Sequence, residues 1–218
     1  MDERRLTCCE IETLLASLIA SNTAASFDRD LQSLAFRDAD GYARLLTMPL
    51  ILADIVHDDL ADILTQIRQM SRRYTIILVQ AGAAALGYVE DDEMVHHKVI
   101  RKYMVRQKQG KSQLKYLKSK GKSRLGSRIR LKNSIAFFEE INRTLIDWEV
   151  ATKSDTLLLF LPVNLKHLFF SANIPPPFDR KDSRIRKVPL DIRLPNFKEL
   201  SHVDWVVRRG VLRCAREV

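Results

Sequence analysis

The stretch 74-YTIILVQAGAAALGYVEDDEMVHHKVIRKYMVRQ-107 decides the fold class of this chain. Its first part, 74–81, is β-branched and aliphatic, and it predicts a buried strand. A second strand, 83–90, follows a glycine turn at Gly82. Residues 94–107 alternate in polarity, which predicts a third, long strand with one more solvent-exposed face. Three strands joined by such short links predict an antiparallel meander.

Helical and strand patterns alternate after this meander. Apolar residues recur at helical spacing over 133–150, and a strand at 156–162 and a helix at 163–172 follow. A short strand, 187–192, and a helix, 196–209, complete the pattern. This alternation predicts an α/β fold, with a mixed β-sheet of antiparallel meander plus βα units, flanked by helices.

The beginning of the chain is predicted to be helical. Thr7 and Glu10 match a capping box ahead of an apolar run. Residues 49–70 place their apolar side chains on one helical face. The sequence therefore predicts a helical N-terminal segment, 1–71, followed by the α/β domain, 72–218.

Composition excludes several classes of protein. The 218 residues include 46% apolar ones, enough for one large domain or one domain with an accessory segment. The apolar runs are too short for a bilayer, and the N-terminus lacks a signal peptide's apolar core, so a cytoplasmic protein without membrane contact is predicted. Three cysteines, two of them adjacent, fit neither a disulfide framework nor a zinc site. Nucleophile-elbow, P-loop and dinucleotide motifs are missing, and we expect no metal and no cofactor.

The positive charge is concentrated in one segment. Residues 94–138 contain 14 of the 36 Lys and Arg residues and no Asp or Glu, which leaves 22 basic residues against 27 acidic ones elsewhere. A mildly acidic body therefore carries one basic element. Such a distribution is typical of a localised surface for a polyanion.

Within this segment, residues 107–132 lack apolar periodicity and are interrupted by three glycines, which predicts a long functional loop. Its most specific part is 109-QGKSQ-113. Gly110 lets the backbone approach another molecule closely, and the surrounding cations attract phosphates. Gln113 offers a neutral donor and acceptor, which suits the orientation of a water or the stabilisation of developing charge.

The basic side chains of this region are the predicted RNA contacts. The neighbouring His96 and His97 are interpreted as ordinary strand residues, and Trp148 and Trp205 as packing residues. The predicted RNA-binding residues are Arg106, Lys108, Lys111, Lys115, Lys118, Lys120, Lys122, Arg124, Arg128 and Arg130.

Several motifs in this order resemble those of a known family. His97-Lys98 and 102-KYMVRQKQGKSQ-113 are similar to the pattern H-K…R-Y-T-V-R-x-K-x-G-G-S-Q. The same family has segments similar to three others in this chain: the strand 75–89, the basic stretch 119–133 and the helix start 195-PNFKEL-200. The chain thus resembles the Vms-like release factors (VLRF), peptidyl-tRNA hydrolases of ribosome quality control. These are distant relatives of the central domain of eukaryotic and archaeal release factors.

The resemblance covers about residues 72–212 and implies a mechanism. The family's loop enters the peptidyl-transferase centre and presents a glutamine to the end of a P-site peptidyl-tRNA. By this resemblance Gln113 is the catalytic side chain, and Gly110 and Ser112 shape the loop. The implied partners are the large ribosomal subunit, its 23S/28S-type rRNA and P-site peptidyl-tRNA, bound by a monomer.

One position departs from the family pattern. Lys111 stands where the second glycine is usual, and lysine reaches fewer backbone conformations than glycine. This departure leaves a non-catalytic role open, and the resemblance itself leaves tRNA cleavage open, so there are two alternatives to a peptidyl-tRNA hydrolase. One is a non-catalytic factor that binds rRNA in the peptidyl-transferase region, and the other is an endonuclease that cuts tRNA near its 3′ end.

Overall fold

A computed structural model of the chain describes residues 3–52, 54–102 and 122–214, with no side-chain description for 122–132. The helices in these ranges all lack the length and apolarity that a membrane span needs. In chain order the elements are β1 (Glu3–Leu6), α1 (Cys8–Ala20), β2 (Ala25–Asp28), β3 (Ser33–Arg37), β4 (Ala43–Thr47), a 3₁₀ turn (Leu50–Leu52), α2 (Leu60–Gln69), β5 (Tyr74–Gln80), β6 (Ala83–Glu90), β7 (Glu93–Arg101), α3 (Lys122–Asp147), α4 (Val150–Lys153), β8 (Thr156–Phe160), α5 (Val163–Phe170), β9 (Ile185–Lys187), α6 (Phe197–Val207) and β10 (Gly210–Cys214).

The chain divides into two compact units. The first unit contains residues 1–72 and 202–218, and the second unit contains residues 73–201. Among the described residues, each unit holds one five-stranded sheet. Mixed α/β structure, which the sequence predicts, is therefore confirmed.

The sheet of the first unit has the order β1-β10-β4-β3-β2, and every neighbouring pair is antiparallel. The helix α1 begins where the sequence predicts it. The Thr7 hydroxyl accepts a hydrogen bond from the Glu10 amide, and the Glu10 carboxylate accepts one from the Thr7 amide. This reciprocal pair satisfies two amide donors that the first helical turn leaves without partners.

The prediction of an entirely helical N-terminal segment is wrong. Residues 25–47 form β2, β3 and β4, and the signal for them has a period of two. In β3, Leu34 and Phe36 are buried while Ala35 and Arg37 are exposed. The Asp38 carboxylate accepts hydrogen bonds from two amides of the following turn, which reverses the chain into β4.

The predicted helix at 49–70 is also shorter than expected. A 3₁₀ turn, Leu50–Leu52, lies in its first half, residues 54–59 are not helical, and α2 begins only at Leu60. The cause is Asp59, whose carboxylate accepts hydrogen bonds from the amides of Ala61 and Asp62. An aspartate that satisfies these donors is a strong N-cap, so it sets the helix start.

The sheet of the second unit has the order β7-β6-β5-β8-β9. The pairs β5–β6 and β6–β7 are antiparallel, which confirms the predicted meander. The pairs β5–β8 and β8–β9 are parallel, as the βα units require. The hydrophobic core of this unit includes side chains of α3, α5 and all strands from β5 to β8, among them Ile77, Leu86, Ile100, Phe138 and Phe169.

The helix α3 begins earlier than the sequence predicts. Its first described residue is Lys122, so residues 122–132 of the predicted loop 107–132 are helical. Gly126 and the serines favour a loop there, but Lys, Arg and Leu are good helix formers. Extending an existing helix costs far less than nucleating one, so the buried part of α3 can propagate toward its N-terminus.

Candidate nucleic-acid interface

The predicted site residues divide between described and undescribed parts of the chain. Gly110, Ser112 and Gln113 lie outside the described residues, so their roles stay predictions. Six predicted RNA contacts lie there too: Arg106, Lys108, Lys111, Lys115, Lys118 and Lys120. The other four, Lys122, Arg124, Arg128 and Arg130, are in the first turns of α3. The described part of the site therefore consists of β7 and α3, the two elements that flank the undescribed stretch.

One glutamate of α3 holds two lysines at the end of β7. The Glu140 carboxylate lies 2.8 Å from the Lys102 ammonium and 3.6 Å from that of Lys98. Lys98 also donates a hydrogen bond to the Thr144 hydroxyl, which in turn donates to the Glu140 backbone carbonyl. The last residues before the undescribed stretch are thus tied to the C-terminal half of α3.

These contacts change the electrostatics of Glu140. The hydrogen bond from Lys102 lowers the pKa of this carboxyl, and the charges of Lys102 and Lys98 act in the same direction against partial burial. Glu140 is therefore ionised at neutral pH, and it compensates part of the charge of both lysines. The other Lys and Arg residues of 94–138 have no acidic residue within that segment to balance them.

Rings reinforce the same junction between β7 and the end of α3. The His96 ring stacks on Trp148 with 5.5 Å between centroids, and the Tyr88 ring of β6 stacks on His96 at 6.1 Å. The interpretation of His96 as a strand residue and of Trp148 as a packing residue agrees with these contacts. Among the described residues, no cluster of three His, Cys, Asp or Glu side chains has the geometry of a metal site.

Glu140 and Thr144 are functional candidates that the sequence does not single out. The one available signal is that Glu139 and Glu140 are the first acidic residues after the acid-free stretch. Which lysines Glu140 and Thr144 contact depends on how α3 packs against β7, and the linear sequence does not contain that information. Chemically, the arrangement holds Lys98 and Lys102 against one carboxylate, which leaves a surplus of one positive charge.

A model of the family described as Bacteroidetes VLRF1 release factor matches residues 74–208. The chain belongs to this release-factor family. Its predicted resemblance to the Vms-like release factors is therefore confirmed. The VLRF1 match includes β7, α3 and the whole segment between them.

Curated relatives of this VLRF1-family chain carry a different functional name. The tRNA endonucleases ANKZF1 of Mus musculus and Homo sapiens are each 30% identical over 136 residues, which is 61% of this chain. The tRNA endonuclease vms-1 of Caenorhabditis elegans is 31% identical over 131 residues. The matched part spans only about a fifth of the length of these relatives, between 18% and 21%.

A solved structure shares the fold. The Vms1 mitochondrial localization core superposes with a TM-score of 0.53 at 15% identity, over 94% of this chain and 84% of that one. At this identity the likeness concerns the fold alone. The predicted likeness to the central domain of the peptide-chain release factors stays a prediction.

Proposed function

We propose that this VLRF1-family protein is a ribosome-associated release factor that frees stalled nascent chains from P-site tRNA. In this proposal a cytoplasmic monomer binds the large ribosomal subunit through 23S/28S-type rRNA. The reaction is hydrolysis of the ester bond of peptidyl-tRNA, with Gln113 at the reacting end. No metal or other cofactor takes part.

The observation that carries the proposal is the continuous family match from residue 74 to 208 across the acid-free segment. A release factor must reach a site lined by RNA, and a segment with 14 cations and no acids is suited to that. The contacts of Lys98 and Lys102 with Glu140 support the same idea, because they give this segment a fixed base on α3.

Gln113 is the proposed catalytic residue because an amide can position a water and donate to a developing oxyanion. It is not a base at neutral pH, so it requires a partner that supplies the rest of the machinery. In this proposal the partner is the peptidyl-transferase centre, and Gly110 and Ser112 determine how the loop presents the amide.

The test uses ribosome–nascent-chain complexes stalled with peptidyl-tRNA in the P site. We expect the wild-type protein to release peptide and Gln113→Ala to lose on the order of 100-fold in rate. Gln109→Ala is the matched control, since it removes the same side chain four residues away. Equal release by all three proteins would remove Gln113 from the mechanism.

The names of the curated relatives favour a second candidate function, cleavage of tRNA. The two reactions leave different products, because ester hydrolysis preserves the 3′ end of the tRNA and an endonuclease shortens it. Mapping the 3′ ends of tRNA from the release assay therefore decides between them. An intact CCA end supports hydrolysis, and a truncated end supports the endonuclease.

A third candidate, a non-catalytic factor that occupies the peptidyl-transferase region, rests on Lys111. If lysine at this position restricts the loop, Lys111→Gly should raise the release rate above that of the wild type. Co-sedimentation with large subunits, without release by either protein, would instead support simple occupancy.

A further inference from the structure

The two faces of β7 have different environments. Side chains alternate along a strand, so His96, Lys98 and Ile100 lie on one face and His97, Val99 and Arg101 on the other. The first face packs on α3 and the core. On the second face, His97, Val99 and Arg101 are all exposed.

An exposed phenyl ring completes this second face. Phe197, the first residue of α6, is 50% exposed, and its centroid lies 4.7 Å from that of His97 at an angle of 48°. The helix is held in place one turn later, where Leu200 packs against Gly87 of β6. The ring pair is thus fixed by the buried structure beneath it, although much of its own surface remains in water.

One positive side chain lies on the same face of β7 as His97. Arg101, on the same face as His97, forms no ion pair with any described residue. The two neighbouring lysines, Lys98 and Lys102, are directed to Glu140 on the opposite face. The cation available on the exposed face is therefore Arg101, about 13 Å along the strand from His97 at 3.3 Å per residue.

Exposed rings that share a strand face with an arginine lacking an ion partner among the described residues are elements by which proteins bind single-stranded RNA. An unpaired base stacks on the rings without regard to its sequence, and a guanidinium pairs with the phosphate. A paired base lies inside its helix and offers no free face to such rings. An acidic protein segment would use the arginine but would gain little from the rings.

We propose that His97 and Phe197 form a stacking platform for an unpaired RNA nucleotide, and that Arg101 binds a phosphate next to it. This inference rests on the proposed function and specifies how the RNA is held beside the start of the basic segment. His97 then has a binding role in addition to its place in the strand. The nucleotide comes from the 3′ end of tRNA or from unpaired rRNA, which share this chemistry.

The experiment measures binding of the full chain to a tRNA with 2-aminopurine near its 3′ end, whose fluorescence is quenched by stacking. We expect Phe197→Leu, which keeps an apolar side chain, to weaken binding about 5- to 150-fold and to abolish the quench. His97→Ala should act in the same direction. Thermal melting of each variant checks that the fold is retained.

Arg101→Ala should reduce the slope of log affinity against log salt by about 0.7, the value for one phosphate of a single strand. Arg180→Ala is the matched control, because Arg180 is also an exposed arginine of the second unit. We expect its slope and quench to equal those of the wild type. Equal slopes for Arg101→Ala and the wild type would overturn the phosphate contact.

Two further probes identify the kind of RNA. If Phe197→Leu weakens binding of a 12-nucleotide single strand as much as binding of tRNA, the platform binds any unpaired RNA. If it weakens binding of tRNA alone, the bound nucleotide is at the 3′ end of tRNA. When this strand is annealed to its complement, wild type and Phe197→Leu should bind it with equal affinity. A full quench by Phe197→Leu and His97→Ala would overturn the platform, even where Gln113→Ala still abolishes release. The platform would also be overturned if Phe197→Leu or His97→Ala weakened binding of a protein partner and left RNA binding unchanged.

Discussion

The sheets of the two units are assembled from the chain in opposite ways. In the first unit, β10 lies between β1 and β4, so residues near both ends of the chain pair with one another, such as Leu6 with Gly210. In the second unit, all five strands come from residues 74–187. The first sheet therefore depends on one distant strand, and the second depends on local hairpins and two parallel neighbours.

This difference determines where each unit tolerates change. A strand brought from far along the chain must fit between two neighbours that are already close, whereas a hairpin adjusts together with its turn. The two tryptophans allow the units to be followed separately, since Trp205 belongs to the first unit and Trp148 to the second. Trp148→Phe and Trp205→Phe backgrounds leave one reporter each for urea denaturation.

The largest effect is expected for Gly210→Ala in the first unit. A Cβ atom at Gly210 would lie 2.8 Å from the Ile11 Cδ1 atom and 2.9 Å from the backbone oxygen of Thr47. That oxygen belongs to the strand paired with β10, so it cannot move without breaking the sheet. We expect a loss of about 3 kcal/mol in the free energy of unfolding, measured by Trp205 fluorescence.

Gly41→Ala is the matched control for this prediction. Gly41 has a positive φ of +84° but nothing within 4 Å of an added Cβ atom, so only backbone strain opposes the change. We expect a cost of about 1 kcal/mol. A Gly210→Ala cost no larger than that of Gly41→Ala would contradict the idea of a tightly inserted β10.

The second unit has one long-range connection of comparable importance, the buried Asn142 of α3. Its amide donates hydrogen bonds to the carbonyls of Phe169 and Ile174, at 3.0 and 2.8 Å. Asn142→Leu keeps the volume but leaves both carbonyls without this donor. We expect a loss of about 2 kcal/mol, followed by Trp148 fluorescence.

Asn173→Ala provides the comparison for Asn142. Asn173 also donates through its amide, to the carboxylate of Glu139, but the pair is exposed. Water replaces such a bond, so the cost should stay below about 0.5 kcal/mol. If the two asparagine variants lost the same stability, burial would not be the reason for the importance of Asn142.

How well the sequence predicts each unit follows from the same contrast. The strands β5 to β7 were predictable because each carries its own signal, a β-branched run or an alternation, and tight turns join them. The strands β1 and β10 have four and five residues and no comparable signal. Their pairing spans more than 200 residues, and only the folded first unit brings Glu3 opposite Arg213.

The strands β2 to β4 escape prediction for another reason. Their alternation is present, as Leu34 and Phe36 show, but stronger helical patterns flank it on both sides. At the candidate site, composition located the basic segment but did not identify its anchor. Glu140 lies 38 residues after Lys102 in the sequence, so no local sequence pattern predicts their contact.

Gly87→Ala in the second unit should have a smaller effect than Gly210→Ala. An added Cβ atom would meet only the side chain of Leu200, at 3.2 to 3.4 Å. A side chain can shift by a few tenths of an ångström where a strand carbonyl cannot. We expect a cost of about 1 kcal/mol. In a Leu200→Ala background this cost should disappear, and a double-mutant cycle that shows additivity would contradict the proposed contact.

Apart from the control variants, the smallest effect is expected at the pair of lysines held by Glu140. The pKa of Glu140 is lowered in the folded protein, by the hydrogen bond from Lys102 first and then by the two charges. A lowered pKa means that the ionised form favours the folded state. Its contribution is present at neutral pH and is lost as the pH falls below the ordinary range of a glutamate. Because the carboxylate is partly exposed, this contribution is below about 1 kcal/mol.

Glu140→Gln should therefore be slightly less stable than the wild type at pH 7, and the two proteins should converge as the pH falls from about 5 to 3. Trp148 fluorescence in the Trp205→Phe background measures this difference. Glu139→Gln is the control, because the neighbouring Glu139 accepts a hydrogen bond from Asn173 instead of a lysine. A difference for Glu140→Gln that stayed constant down to pH 3 would show that the Glu140 carboxylate stabilises the second unit by its shape and not by its charge.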